Sequence, residues 1–243
     1  MHEQIGDHAL WHLPVLGTVH SDTVLTTWLV MLLTIPLCWW IGSSYRSGRV
    51  SKKQTVVEAV VNYFADLAHS TMGSQAEAFV PFLLALFIFI FLLNQFGFVP
   101  FKAFGLPFGG SPTADLNTAA AYAVMVFVVI QAAGIRKFGL GFYKHLLQPF
   151  WPMLPINILE EFLRPTTLAL RLFFNIFIGE LLLYVILQIV SSHVSVGSFN
   201  LSLAAAIAPF GLQIFNFLVG TLQAFVFVLL SIVYLSLALA DEH

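Results

Sequence analysis

Arg171 is the residue of this sequence whose surroundings point most directly to chemistry. It lies in TLALRLFFNIFIGELLLY, far from both ends of an apolar run. A guanidinium at the centre of a bilayer costs at least about 2.5–3.5 kcal/mol on insertion scales, and it does not deprotonate in proteins. A permanent positive charge there needs a carboxylate partner, a water-filled cavity, or both. The alternative is a purely structural ion pair with Glu160, Glu161 or Glu180.

Helical spacing separates the polar residues of this segment into two faces. Thr167, Arg171 and Asn175 follow one another at intervals of four residues and therefore share one face. Glu180 comes nine residues after Arg171, which is about 180° around a helix of 3.6 residues per turn. Glu180 is therefore not the intrahelical partner of Arg171, and we expect it to face a separate cavity. A protonated Glu180 that is hydrogen-bonded in the core is the alternative.

The last apolar segment carries a polar stripe that falls within an arc of about 80° on a helix. Such a stripe either joins neighbouring helices through hydrogen bonds or forms the wall of a hydrated path, and the spacing alone leaves both open. Its members are Gln213, Asn216, Gly220, Gln223, Ser231 and Tyr234.

Composition indicates that these segments lie in a membrane. The chain has 243 residues, of which 59% are hydrophobic and 9% are charged. Soluble domains carry about 25% charged residues, so the sequence predicts an all-α polytopic membrane protein. No basic block could neutralise a run of phosphates, which argues against nucleic-acid binding. No P-loop, metal-ligand spacing or nucleophile–base motif occurs, so we predict no catalytic residue, metal site or nucleotide site.

Gaps between charged residues outline the helices of one membrane domain, residues 1–243. Each short gap has about the 20 residues that a transmembrane helix needs. A segment that carries Glu58 and Asp66 among apolar residues predicts an interfacial or protein-covered helix. The predicted elements are an external tail (1–22), three transmembrane helices (23–45, 78–101 and 116–135), the interfacial helix (51–74) and two long tilted helices (156–190 and 201–240).

The length of the charge-free segment 201–240 constrains its geometry. A helix of this length would reach about 60 Å, while the hydrocarbon core is about 30 Å thick. The segment therefore either breaks at Pro209-Phe210-Gly211 or forms one helix tilted by about 60°, well beyond the average of about 20°. Such a tilt is tolerable only if another protein covers part of the helix.

Basic residues predict the topology through the positive-inside rule. They follow the first and third predicted spans, which gives five crossings with the N-terminus outside and the C-terminus on the cytoplasmic side. The sequence has no internal repeat, which argues against transporters built from duplicated halves. The basic residues are Arg46, Arg49, Lys52 and Lys53, then Arg136, Lys137 and Lys144.

Four segments together resemble the a subunit of the F-type ATP synthase. Their order and spacing match that family over most of the chain, and the branch with bacterial and chloroplast forms is the most similar. The segments are SPTADLNT (111–118), LPINILEEF (154–162), RPTTLALRLFFNIFIGELL (164–182) and LQAFVFVLLSIVYLSLALADEH (222–243).

This resemblance implies a stator subunit of the proton-conducting membrane sector, which is not an enzyme on its own. It implies two long helices tilted against a ring of c subunits. Peripheral-stalk b subunits, the rest of the ATP synthase and membrane lipid are the other implied partners. No cofactor is implied. The expected ion is H⁺, with Na⁺ left open because that choice lies mostly in the ring. The implied location is an energy-transducing membrane, either the bacterial plasma membrane or the thylakoid.

The resemblance also implies roles for individual residues. Arg171 matches the family's essential arginine, and Gln223 matches the polar residue near it on the last helix. Asn175 and Glu180 match half-channel positions. Further half-channel candidates are Asn216, Asp115, Asn117, Glu160, Glu161 and Tyr234.

Three points qualify these assignments. Asp115 and Asn117 stand where a span begins, so capping of that helix explains them equally well. The family usually reads LFGN where this chain has Phe174 in place of the glycine, so local packing is expected to differ. Many relatives carry an ionisable group at the position of Asn216, which cannot relay a proton by titrating. Glu180 would then be the one residue of this pair that relays protons by titrating.

Two other functions fit parts of the sequence. A stand-alone secondary transporter could use Arg171 to bind an anionic substrate, but the absence of repeats and the overlong last segment argue against it. A purely structural scaffold would have no use for residues as costly as Arg171 and Glu180.

Overall fold

The computed structural model describes residues 10–13, 17–43, 52–97, 111–139, 141–143, 151–191 and 201–240. Within these residues six α-helices and one β-hairpin form, joined in places by short 3₁₀ turns. The elements are β1 (Leu10–Leu13), β2 (Gly17–His20), α1 (Ser21–Ser43), α2 (Lys52–Met72), α3 (Val80–Phe96), α4 (Leu116–Phe138), α5 (Leu154–Ser191) and α6 (Leu201–Leu239).

The prediction of a polytopic all-α membrane protein is confirmed. Four stretches in the described residues are long and apolar enough to cross a membrane, and a fifth is added if α2 and α3, which are bent by 110°, count as one span. The four stretches are Thr23–Trp40, Leu116–Phe138, Leu154–Ile186 and Ile207–Leu239.

The N-terminal hairpin was not predicted. Within the segment assigned to an external tail, β1 pairs antiparallel with β2, with Leu10 opposite His20 and Leu13 opposite Gly17. Strands of four residues are too short for the alternation of apolar and polar residues to stand out in a sequence.

α2 is covered by protein on one face. Phe64 and Ala68 of α2 are buried, and the Phe64 ring lies 4.7 Å from Phe87 of α3 and 6.1 Å from Phe225 of α6. The opposite face exposes Asp66 and His69. The sequence predicted that this helix is either interfacial or covered by protein. The packing shows that protein covers one face of it.

α6 continues through Pro209 as one helix of 39 residues. Of the two alternatives left open by the sequence, the break at Pro209-Phe210-Gly211 therefore does not occur. The 39 residues correspond to about 58 Å, and α5 is nearly as long with 38 residues. Proline inside a membrane helix is tolerated where neighbouring groups and local adjustments satisfy the backbone groups that it frees. The segment therefore forms one long helix rather than two shorter ones. A helix of this length fits into a bilayer only with a steep tilt.

The core lies around the C-terminal half of α6. This helix packs against α2, α3, α4 and α5, and its residues Phe227, Val228, Ile232 and Leu235 are almost completely buried. By contrast, α1 turns large apolar side chains outward, with Trp28 at 68% exposure. An apolar outer surface is expected where lipid replaces water.

Lys137 connects the C-terminal ends of α4 and α6. Its Nζ donates a hydrogen bond to the carbonyl oxygen of Leu239 at 2.7 Å. The last carbonyl groups of a helix have no partner within the helix, and a cation there also interacts favourably with the helix dipole. Lys137 thus fastens the end of α6, and both helices end at the same face of the molecule.

We predict that Lys137→Met lowers the free energy of unfolding of the subunit in its complex by about 1 kcal/mol, because α6 loses a charged hydrogen-bond donor at its end. The melting temperature should fall accordingly. Arg136→Met is the matched control, since Arg136 is an exposed neighbour of Lys137 on α4. The measurement is the melting temperature of the detergent-solubilised complex. Equal shifts in the two variants would contradict a specific role of Lys137.

Candidate functional site

Arg171 lies on an exposed apolar face of α5. The buried side of α5 at this level is formed by Leu168 and Leu172, whereas Arg171 and its neighbour Phe174 are exposed. The side chains that define this face, which we call the Arg171 face, are Leu163, Thr167, Arg171, Phe174 and Ile178.

Among the described residues, no ion pair or hydrogen bond involves Arg171. The one ion pair between described residues joins Glu161 to Arg164. The alternative of a structural ion pair between Arg171 and Glu160, Glu161 or Glu180 is therefore wrong. The compensation that a guanidinium in a bilayer needs has to come from outside the described part of the chain.

Glu180 points to a different surface from Arg171, as the spacing of nine residues predicts. It is half-buried, and its Oε1 accepts a hydrogen bond from the backbone N–H of Ser111 at 2.9 Å. Ser111 precedes the 3₁₀ turn that leads into α4. Glu180 thus links the C-terminal half of α5 to the segment before α4.

A buried hydrogen-bond network continues from Ser111 to α6. The Ser111 and Thr113 hydroxyls lie 2.6 Å apart, and Thr113 Oγ1 donates to Asn94 Oδ1 at 2.9 Å. Asn94 Nδ2 then donates to the carbonyl oxygen of Gly220 at 3.0 Å. We call Glu180, Ser111, Thr113 and Asn94 the outer network. It joins α3, α5 and α6, and each buried polar group has a partner, as burial requires.

Sequence reasoning missed Asn94, Ser111 and Thr113 as members of this network. The available signals were an asparagine in the otherwise apolar end of α3 and the hydroxyl residues of SPTADLNT. Neither signal showed that the two segments meet.

Asn175 and Asn216 line one void between α5 and α6. Asn216 Nδ2 donates to the carbonyl oxygen of Gly179 at 3.2 Å, and Asn175 Nδ2 lies 3.5 Å from the carbonyl oxygen of Val219. The void has a volume of about 10 Å³, which is room for one water molecule. A Cβ on Gly179 would come within 2.9 Å of Asn216 Oδ1, so the glycine permits the close approach of the helices.

Gln223 is buried, and its Nε2 has no hydrogen-bond partner among the described residues. Within the same residues no hydrogen bond joins it to Arg171, so its place near Arg171 remains a prediction. Elsewhere in the polar stripe of α6, Ser231 Oγ donates to the carbonyl oxygen of Phe227 in its own helix. The stripe therefore contributes hydrogen bonds between helices at Asn216 and Gly220, but not along its whole length.

A second polar cluster lies toward the other end of α5. Gln131 Nε2 of α4 donates to Glu161 Oε1, and Glu161 Oε2 lies 3.1 Å from Arg164 Nη1. The Arg164 guanidinium stands 5.9 Å from the centre of the Tyr234 ring of α6. We call these four residues the inner cluster. Glu160, by contrast, is exposed on the surface of α5.

Asp115 caps α4. Its Oδ1 accepts hydrogen bonds from the backbone N–H of Asn117 at 3.0 Å and from Asn117 Nδ2 at 3.3 Å, and its Oδ2 accepts from Thr118 Oγ1 at 3.3 Å. The capping alternative therefore accounts for the positions of Asp115 and Asn117. Their half-channel role remains a prediction.

These features define a polytopic helical membrane protein with a charged group on an apolar outer face and polar clusters behind it. The family model described as ATP synthase A chain matches residues 24–236. The chain is also 34% identical to ATP synthase subunit a of Gloeobacter violaceus over 243 residues, which covers 98% of this chain and 92% of that protein.

The chain therefore belongs to the ATP synthase A chain family. It is a multi-pass subunit of an energy-transducing membrane and a component of the ATP synthase rather than an enzyme by itself. The predicted resemblance is confirmed, and the relative from a cyanobacterium agrees with the bacterial and chloroplast branch.

We predict that Gly179→Ala disturbs the α5–α6 contact, because the added methyl group meets the Asn216 side chain. Overpacking of this kind typically costs about 1–3 kcal/mol. Gly211→Ala is the control, since a Cβ there meets nothing within 4 Å. Melting temperatures and proton pumping of the two variant complexes provide the comparison. If Gly179→Ala behaves like Gly211→Ala, the close approach at Gly179 is incorrect.

Proposed function

We propose that this chain is the stator subunit that conducts protons beside the c ring of an F-type ATP synthase, with Arg171 between two half-channels. The observation that carries the proposal is the exposed Arg171 on an apolar helix face, without an ion pair among the described residues. Because its charge is permanent and costly in a bilayer, a neighbouring chain has to supply the opposite charge. A ring whose subunits each carry one carboxylate at mid-membrane supplies it repeatedly.

The two polar clusters behind the Arg171 face are the proposed ends of the half-channels. At 1.5 Å per residue, Glu180 lies about 13.5 Å along α5 from Arg171 in one direction, and Glu161 about 15 Å in the other. The outside path would include Glu180, Asn175, Asn216, Asp115 and Asn117. The inside path would include Tyr234 and one member of the adjacent pair Glu160 and Glu161. Gln223 would lie between the two paths, near the level of Arg171.

In the proposed mechanism, each ring carboxyl arrives protonated and neutral. Close to Arg171 the opposite charge favours its ionised form, so the proton passes to the inside half-channel. The carboxylate moves past Arg171 as an anion and is reprotonated from the outside half-channel. Each charge that crosses gains about 2.3 kcal/mol per 100 mV, and the ring converts this energy into rotation.

Two residues of this chain have additional roles in the proposal. Arg171 also repels protons, so it prevents a direct leak between the two paths. Glu180 is the titratable group of the outside path, because Asn216 does not titrate. Its hydrogen bond from the N–H of Ser111 positions the carboxylate between α5 and the segment before α4.

The orientation follows from the ends of α4 and α6. The hydrogen bond from Lys137 to Leu239 brings these two C-terminal ends to one face. Arg136 and Lys137 lie at that face, which the positive-inside rule assigns to the cytoplasm. The N-terminus would then lie outside, and H⁺ would enter the outside path from that compartment.

A stand-alone transporter that binds an anion at Arg171 is less well supported. Such a protein needs a concave pocket around its binding residue. The cavity of about 380 Å³ in the described part of the chain is lined by Arg164 and apolar residues rather than by Arg171.

We predict that Arg171→Ala abolishes ATP-driven proton pumping by the complex in inverted vesicles, because no fixed charge remains to favour ionisation of the ring carboxyl. Arg171→Lys should also fail, since lysine lacks the planar, delocalised guanidinium. Arg136→Ala, at the exposed end of α4, is the control and should pump normally. Normal pumping by Arg171→Ala would refute the proposed function.

We predict that Glu180→Gln slows proton flux in both directions, because the outside path loses its titratable group, while Glu180→Asp retains more flux. A positioned acid or base typically contributes about 10²–10⁴-fold to a proton transfer, and water in the path reduces this factor. The measurement is passive proton conductance of the membrane sector in liposomes. Unchanged conductance in Glu180→Gln would remove this residue from the path.

A further inference from the structure

Two adjacent glutamates, Glu160 and Glu161, differ sharply in their surroundings. Glu160 is exposed on α5. The side chain of Glu161 is only 13% exposed, and both of its oxygens are engaged. Because neighbouring residues on a helix point about 100° apart, only one of the two turns toward α4 and α6. The sequence alone does not distinguish them.

Glu161 is held from two helices. Gln131 of α4 donates a hydrogen bond to one carboxylate oxygen, and Arg164, one turn further along α5, pairs with the other at 3.1 Å. Gln131 is also left with a buried Oε1 that has no partner among the described residues. A buried amide oxygen without a donor indicates an ordered water molecule at that point.

A small void beside the Glu161 carboxylate has about the size of one water molecule. Its volume is about 10 Å³, and Glu161, Arg164 and Tyr234 line it together with apolar residues of α4 and α5. Arg164 also lines the cavity of about 380 Å³ at the ends of α4 and α6. The guanidinium thus stands between a site for a single water molecule and a larger cavity at the proposed inside face.

We propose that Glu161 is the carboxylate through which protons leave on the inside, that Gln131 is the residue that positions it, and that Glu160 takes no part. This inference rests on the proposed function. Glu161 takes up one proton from the side of the small void and releases one proton toward the larger cavity, whose wall its partner Arg164 reaches, so it returns to the ionised form. Arg164 is the charged group facing it from α5, Tyr234 lies across the void on α6, and α4 contributes the uncharged Gln131.

The test uses the complete complex in liposomes, with passive proton conductance measured after removal of the catalytic head. Glu161→Gln should lower the conductance at least about tenfold, whereas the matched control Glu160→Gln should remain within about twofold of the parent. Gln131→Met keeps the length of the side chain but removes the donor. It should lower the conductance, because Glu161 loses the hydrogen bond that positions it.

A double variant separates positioning from mere packing. If Gln131 acts through Glu161, Gln131→Met should have no further effect in the Glu161→Gln background. Additive effects of the two substitutions would overturn the role of Gln131. Equal conductance of Glu161→Gln and Glu160→Gln would overturn the assignment of Glu161. Failure of the unmutated complex to pump protons would instead refute the proposed function itself.

Discussion

The structure depends on one electrostatic constraint: a permanent positive charge on an apolar helix face. Arg171 has no countercharge among the described residues, although a guanidinium in a bilayer is costly. Under the proposed function, this group meets its partner in another molecule. The remaining features of the fold serve to present this charge on an outer face while polar groups approach it from behind.

The length and packing of α5 and α6 satisfy that requirement. Both helices are long enough to run obliquely through a bilayer, and α3 and α4 cover the back of the pair. The outer network and the inner cluster lie on this covered side, on opposite sides of the level of Arg171. Polar groups on both sides of one cation are compatible with the proposed conduction, which passes through a neighbouring carrier rather than through a continuous pore.

Much of this arrangement could be predicted because the spans and the helix faces are determined by short segments of the sequence. The absence of charge over about 20 residues identifies spans, and helical angles already separate Arg171 from Glu180. The continuity of α6 through Pro209 could not be decided from the sequence, because it depends on neighbours that satisfy the backbone. The short N-terminal hairpin gave too weak a pattern.

The polar clusters were only partly predictable for a related reason. Glu180, Asn216 and Glu161 are conspicuous in apolar surroundings, but their partners are ordinary polar residues from distant segments. The hydrogen bonds of Ser111, Asn94 and Gln131 form only because α3 and α4 pack against α5 and α6. Their roles therefore could not be recognised from the sequence. Capping by Asp115 was one of two open alternatives, and only the hydrogen bonds to Asn117 and Thr118 show that it occurs.

The most direct test of the central claim is a density map of the intact complex at a resolution that shows side chains. The account predicts that the Arg171 face is turned toward the ring, with the guanidinium within about 4–6 Å of a ring carboxylate, the range over which an opposite charge controls ionisation. A map in which that face contacts lipid, or in which Arg171 forms a closed ion pair within its own chain, would contradict it.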